Sequence, residues 1–189
     1  MSASKRDELV AKAKDIFYRE GFHATGMDRL VAVTGISKTS MYNHFRTKDE
    51  LILAALEWRH RELYTRLTKR TEELATEAKD RLLASFDSLR EWVESDEFNS
   101  CMFIKASSEY PDPEHPVRKV AAEHKRLVRS YLTDLAKDAG ACDPDELATQ
   151  LFLLKEGAVI SAYMEGNADI VAAARSAAVT LIEKALADS

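Results

Sequence analysis

The chain has 189 residues, 46% hydrophobic and 31% charged, with a net charge of −5, a size that suits one large domain or a small one joined to a larger one. No apolar run approaches the ~18 residues that span a membrane, the first residues lack the apolar stretch of a secretory signal, and Cys101 and Cys142 lack metal-ligand spacing; the expectation is a cytoplasmic protein with free thiols, no metal site and no cofactor. Six glycines and four prolines, three of them between 111 and 116, leave long stretches free for helix, so an all-α chain of about nine helices is expected.

Between 4 and 20, Leu9, Ala13, Ile16 and Phe17 fall on one helical face, and Gly21 ends the helix. Thr25 and Asp28 read as a capping-box variant opening a second helix, with Met27, Leu30, Val31 and Val33 as its apolar positions. Gly35 suits a left-handed turn just past a helix end, and Ser37 is a good N-cap for the next helix. The Gly35-Ile36-Ser37 connection is therefore that of a helix-turn-helix. The third helix runs from Lys38 to His44 or Phe45. Met41 and Phe45, four apart, face a small core with Ile36, which leaves Lys38, Thr39, Ser40, Tyr42, Asn43 and His44 partly or wholly outward. Lys38 at the first helical position opposes the helix dipole, so an anion outside the helix, a DNA phosphate or a guanine edge, explains it better. From 29 to 48 the chain holds Arg29, Lys38, Arg46 and Lys48 and no acid. Residues 1–50 carry nine Lys/Arg against seven Asp/Glu, and the remainder eighteen against twenty-five. A local basic face on an acidic chain points to nucleic acid.

Thr47 and Glu50 form a capping box for a fourth helix, carried by Leu51, Ile52, Ala55, Leu56 and Leu63 to about Arg70. A fifth helix is expected over 72–94, with Leu74, Ala78, Leu82, Phe86, Leu89 and Val93 at steps of three and four. After a polar break at 95–100, Ser100 caps a short helix over 101–109. Residues 110–116 form a proline-rich connection, followed by a helix to Asp138 with Val117, Val120, Ala121, His124, Leu127, Val128, Tyr131 and Leu135 on one face. Asp143, Pro144 and Glu146 open a helix that Gly166 ends, and the last helix spans 168–187. Leu151-Phe152-Leu153-Leu154 wraps round its helix, and Ile170, Val171, Ala174, Ala178, Leu181, Ile182 and Ala185 form a broad stripe, with Gly157, Ala158 and Ala162 allowing close approach. These two helices want more burial than one chain's surface gives, which points to a homodimer joined by a four-helix contact; a central core helix within one subunit is the alternative.

Read together, 25–34, Gly35-Ile36-Ser37-Lys38, Met41-Tyr42-Asn43-His44-Phe45 and Lys48-Asp49-Glu50-Leu51 resemble the TetR family of bacterial transcriptional regulators over about the first 60 residues, where order, spacing and residue types agree together. The resemblance implies a DNA-binding domain over 3–63 with its helix-turn-helix core at 26–45, and a helical ligand-binding and dimerisation domain over 64–189. It implies a homodimer that places two recognition helices in successive major grooves of a near-palindromic double-stranded operator, and a small-molecule effector that releases a repressor. Carried across, Lys38, Thr39, Ser40 and Asn43 are base-reading positions, and Tyr42, His44, Thr25 and Lys48 are phosphate contacts. Trp92, Cys101, Phe103, Tyr110, His124, Tyr131, Phe152, Tyr163 and Met164 are candidates to line an effector pocket. Cys101, placed at a helix start, also suggests a thiol-based sensor, since segments around it resemble a subgroup that senses electrophiles or oxidants. No hydrolase, Walker or zinc-protease motif is present, so an enzyme using Cys101 with His124 is the weaker class, as is a helical interaction module that no longer reads DNA. Cys101, Glu109, His115 and His124 have no metal-ligand spacing.

Overall fold

The computed structural model describes residues 4–187, and among them every regular element is an α-helix. In chain order these are α1 (Lys5–Glu20), α2 (Met27–Thr34), α3 (Lys38–His44), α4 (Lys48–Leu74), α5 (Ala78–Val93), α6 (Met102–Glu109), α7 (Pro116–Asp138), α8 (Pro144–Glu165) and α9 (Asp169–Ala187). The chain divides into two compact units. One takes the chain up to Glu62 together with Met102–His124; the other takes Leu63–Cys101 and the chain from Lys125 onward.

In the first unit, the head, the apolar face of α1 buries Leu9, Ala13 and Phe17 along with Phe22, Leu30, Met41, Leu51, Ile52 and Leu56. Phe17 stacks on Phe22 at 5.6 Å between ring centroids. Ser4 caps α1 by accepting from Asp7 N–H at 3.1 Å. Thr47 Oγ1 accepts from Glu50 N–H at 3.1 Å, and the Glu50 carboxylate accepts from Arg46 N–H at 2.7 Å, so the expected box at the start of α4 closes on the residue before the cap.

Two local expectations need correction. The N-cap of α2 is Gly26, which gives no side-chain cap, because the Thr25 hydroxyl instead donates to Gly21 O at 2.7 Å. Ser100 adopts φ +67 and α6 begins at Met102, so Ser100 is not in the extended conformation that an N-cap takes.

The second unit is held by a cluster of Leu82, Phe86, Leu132, Leu135, Ala136, Leu147, Ala148, Leu151, Ala178 and Ile182, drawn from α5, α7, α8 and α9. Burying each large apolar side chain contributes roughly 1.5–3 kcal/mol, far more than the surface ion pairs around it. Asp143 caps α8 by accepting from Glu146 N–H at 3.0 Å, with Pro144 in the first turn, and Gly166 ends the helix in the left-handed region at φ +64. The α4–α5 boundary is later than expected: α4 reaches Leu74, Arg81 Nε donates to Ala75 O at 3.1 Å, and α5 starts at Ala78. Leu74 and Ala78 sit four apart on either side of this break, so helical spacing alone runs through it. On α8, Leu153 and Met164 are 63% and 78% exposed, and Ile160 and Tyr163 are also exposed.

Candidate nucleic-acid interface

The α2–α3 connection is built by hydrogen bonds that its own sequence supplies. Gly35 takes φ +70 and its N–H donates to Val31 O at 3.0 Å; a side chain there would be strained. Thr34 Oγ1 donates to Leu30 O at 2.7 Å and accepts from Ile36 N–H at 3.2 Å, and Ser37 Oγ accepts from Ser40 N–H at 3.2 Å. Helix α3 buries Met41 against the head, with Phe45 buried at its end. Lys38, Thr39, Tyr42, Asn43 and His44 are exposed and Ser40 is half-buried. The helix carries no acid in its first turn.

Four of the basic and polar groups expected to face DNA are engaged within the chain. Lys38 Nζ pairs with Asp28 at 2.9 Å, and this hydrogen bond and charge hold the ammonium above its ordinary range. Arg29 grips Glu20 through Nε at 2.9 Å and Nη2 at 2.6 Å. The run from 29 to 48 is free of acid in sequence but not in space, because Glu20 and Asp28 reach it from just outside the window. Both pairs are exposed and salt-screened, so a phosphate competes with them readily. Thr25 is 0% exposed with its hydroxyl spent on Gly21 O, which corrects the expectation that this side chain touches phosphate. Lys48 Nζ donates to Phe22 O at 3.0 Å and Thr25 O at 3.4 Å: here the cation closes the α1–α2 turn.

The residues expected to line one effector pocket lie in several environments. Tyr110 belongs to the head unit, in an open cleft of about 420 Å³ with His23, Lys48, Asp49, Glu109 and His115. Its ring centroid lies 4.7 Å from that of His23 and 4.5 Å from that of His115, and its hydroxyl donates to Asp49 at 3.4 Å. Burial first, then the Asp49 charge, pushes this phenol up to about 12. Beside it the Glu109 carboxylate accepts from the N–H groups of Phe22 at 3.0 Å and His23 at 2.6 Å, and His23 Nε2 meets Glu109 O at 2.8 Å.

His124, also in the head unit, stacks on Phe103 at 3.7 Å and meets His60 Nδ1 to Nδ1 at 2.9 Å, so one ring donates and the other accepts. Burial pulls His60 below its usual range. In the other unit, Trp92 packs edge-on against Phe98 at 5.0 Å, with its indole N–H buried and unbonded. Tyr131 and Thr71 bring two buried hydroxyls side by side, outside ordinary hydrogen-bond geometry. Phe152 packs against the α5–α7–α8–α9 cluster. Tyr163, at 46% exposed, and Met164, at 78%, lie on the open face of α8. Buried Cys101 lies beside Lys125, whose ammonium also binds both Glu156 oxygens at 2.7 and 2.6 Å. Burial lowers Lys125, but the Cys101 sulfur and Glu156 outweigh it and hold the group above its ordinary value. Among the described residues, no three His, Cys, Asp or Glu side chains are grouped to hold a metal.

Arg59 was not among the sequence candidates. It is 5% exposed, and its Nε and Nη2 are buried without a partner. The signal was legible: Ile52, Ala55, Leu56 and Arg59 fall at i, i+3, i+4 and i+7, which sets an arginine on the buried stripe of α4.

Comparison with known proteins places this architecture. Residues 9–55 match the family model described as "Bacterial regulatory proteins, tetR family", and residues 78–178 match "Tetracyclin repressor-like, C-terminal domain". The chain belongs to the TetR family. This TetR-family chain is 28% identical to SCO4454, a TetR-family transcriptional regulator from Streptomyces coelicolor, with a TM-score of 0.89 over 96% of this chain and 95% of that one. It is 22% identical over 153 residues to the HTH-type transcriptional regulator YjdC of Escherichia coli, covering 81% of this chain and 80% of YjdC. It is 26% identical over 129 residues to the HTH-type transcriptional repressor NemR of Escherichia coli, covering 68% and 65%. The TetR-family chain is a helix-turn-helix, DNA-binding transcriptional regulator, not an enzyme. No helix among its described residues is long and apolar enough to cross a membrane.

Proposed function

We propose that this regulator is a cytoplasmic repressor that binds a near-palindromic double-stranded operator as a homodimer and is released by a small-molecule effector. The observation that carries the reading is α3, which turns Met41 inward and presents Lys38, Thr39, Tyr42, Asn43 and His44 outward on a turn fixed by Gly35, Thr34 and Ser37. In this reading Lys38, Thr39, Ser40 and Asn43 meet base edges, while Tyr42 and His44 meet phosphate. Residues 3–63 serve as the DNA-binding domain and 64–189 as the effector and dimerisation domain. The open face of α8, with Leu153, Ile160, Tyr163 and Met164, supports the dimer. Gly157 adds to it, since nothing lies within 4 Å of where its Cβ would be and a partner helix has room to approach. The name of NemR supports repression.

Fluorescence anisotropy on DNA from immediately upstream of the gene tests the reading. The wild type binds one sequence over competitor DNA, and Lys38→Ala weakens that binding. Equal affinity for all sequences refutes it and favours an interaction module.

A second reading makes Cys101 a thiol sensor. It is favoured by Lys125, a positive neighbour of the kind a nucleophilic sulfur needs. If electrophiles release wild type and Cys101→Ser from DNA alike, Cys101 is structural.

A further inference from the structure

Three arginines of this protein grip a carboxylate in the same way. Arg29 holds Glu20, Arg70 holds Glu91 and Arg175 holds Asp87, each through Nε and Nη2. These two N–H groups form the side-on fork that matches the two oxygens of a carboxylate. Arg59 presents the same edge buried and without a protein acceptor on it. The three satisfied forks are on side chains 37–52% exposed, whereas the Arg59 side chain is 7% exposed.

Its own counter-charge does not reach that edge. Glu62 reaches only Nη1, at 3.4 Å, and already accepts from Lys14 at 2.8 Å on both oxygens and from Trp58 Nε1 at 2.9 Å. Meanwhile the guanidinium lies 4.8 Å from the centre of the Tyr18 ring, and the Lys105 ammonium lies 5.2 Å from the same ring. A desolvated guanidinium with two idle N–H groups is costly unless an anion joins it. A planar fork held against an aromatic face is already oriented for one.

We propose that the Nε/Nη2 edge of Arg59 anchors the carboxylate of a small acidic effector. The inference rests on the reading above that a small-molecule effector releases the repressor, adds the effector's chemical class, and moves its site from residues 64–189 into the head unit. The fork's two parallel donors match a carboxylate, and the Glu62 charge beside it disfavours a dianionic phosphate. Arg59 is on α4 and Tyr18 on α1, so an acid bound here acts on the packing of α1 against α4 in the head unit.

The test is thermal denaturation and calorimetric titration of the full chain without DNA. The probes are formate, acetate, benzoate and octanoate, each beside its amide, together with inorganic phosphate. At least one acid raises the melting temperature of the wild type while its amide does not. In Arg59→Gln, folded by circular dichroism, the affinity for that acid falls by about tenfold to a hundredfold. Arg59→Lys keeps the charge, loses the fork and falls between the two. No shift from any acid, an equal shift from the matching amide, unchanged affinity in Arg59→Gln, or a larger shift from phosphate than from every acid overturns the proposal. Should Arg59→Gln not fold, the contrast of acid with amide and Arg59→Lys decide it. With no DNA present, failure here is separate from failure of the operator reading, which the anisotropy measurement reports.

Discussion

Replacing Lys155 by Met makes the protein more stable at neutral pH, and the gain shrinks as pH rises. Lys155 lies in α8, 7% exposed, with its ammonium donating to the carbonyl and hydroxyl of Ser85 and 4.7 Å from the Phe86 ring. Burial pulls the group down from 10.5 to about 7, against the smaller opposing pull of Glu156 and Asp87. Between these two values the unfolded chain carries a proton that the folded one sheds, so folding is penalised, fully below about pH 7 and hardly at all above 10.5. The gap corresponds to roughly 4–5 kcal/mol. Lost hydrogen bonds offset about 1 kcal/mol of that, because the Ser85 hydroxyl keeps its bond to Leu82 O. Urea denaturation of wild type and Lys155→Met, at one protein concentration and several pH values from 6.5 to 10, gives the difference directly, and other titrating groups cancel in it. The variant is more stable by a few kcal/mol at pH 7, and the curves converge toward pH 10. Parallel curves across that range refute the argument, since they mean that the buried amine keeps its proton.

Other consequences are open to measurement. Lys38→Ala relaxes operator specificity at one base position by about 1–3 kcal/mol, because in the proposed reading the lysine meets a base edge. Asp28→Ala, which frees Lys38 from its exposed pair, raises affinity at low salt, both read by anisotropy, the first across operator variants and the second against ionic strength. Glu109→Ala leaves the N–H groups of Phe22 and His23 without their acceptor and costs about 1–3 kcal/mol by chemical denaturation. Charges at Leu153 and Met164, two of the most exposed apolar positions, turn the proposed dimer into a monomer in analytical ultracentrifugation and weaken operator binding with it.

What could be read from the sequence was what is local. Gly35, Ser37 and the Met41–Phe45 spacing determine a turn and a short helix from neighbours within a few residues, and the structure has them there. The Asp143-Pro144 start and Gly166 stop of α8 are local in the same sense. What escaped depends on how the chain packs rather than on the pattern within one helix. Thr25 has two chemically equal uses, a helix cap or a bond back to Gly21, and only the packed loop chooses. The partners of Lys38 and Arg29 sit ten and nine residues back, outside a window drawn by charge sign. Tyr110 and His124 are aromatic residues, as pocket residues would be, yet their neighbours come from the α1–α2 loop, α4 and α6. Arg59 was hidden by its charge, although its position on the α4 stripe marked it as buried.

The make-up of the head unit bears on its birth. Its residues come from the first 62 and again from Met102–His124, so nearly forty intervening residues must be synthesised before its last piece exists. At ~5–20 residues per second, the ribosome holds an unfinished head for seconds, with α1 to α3 made but Glu109 not yet there to take the N–H groups of Phe22 and His23. A chimera cut at residue 62 leaves the N–H groups of Phe22 and His23 without Glu109, and a graft that also brings residues 102–124 keeps those bonds.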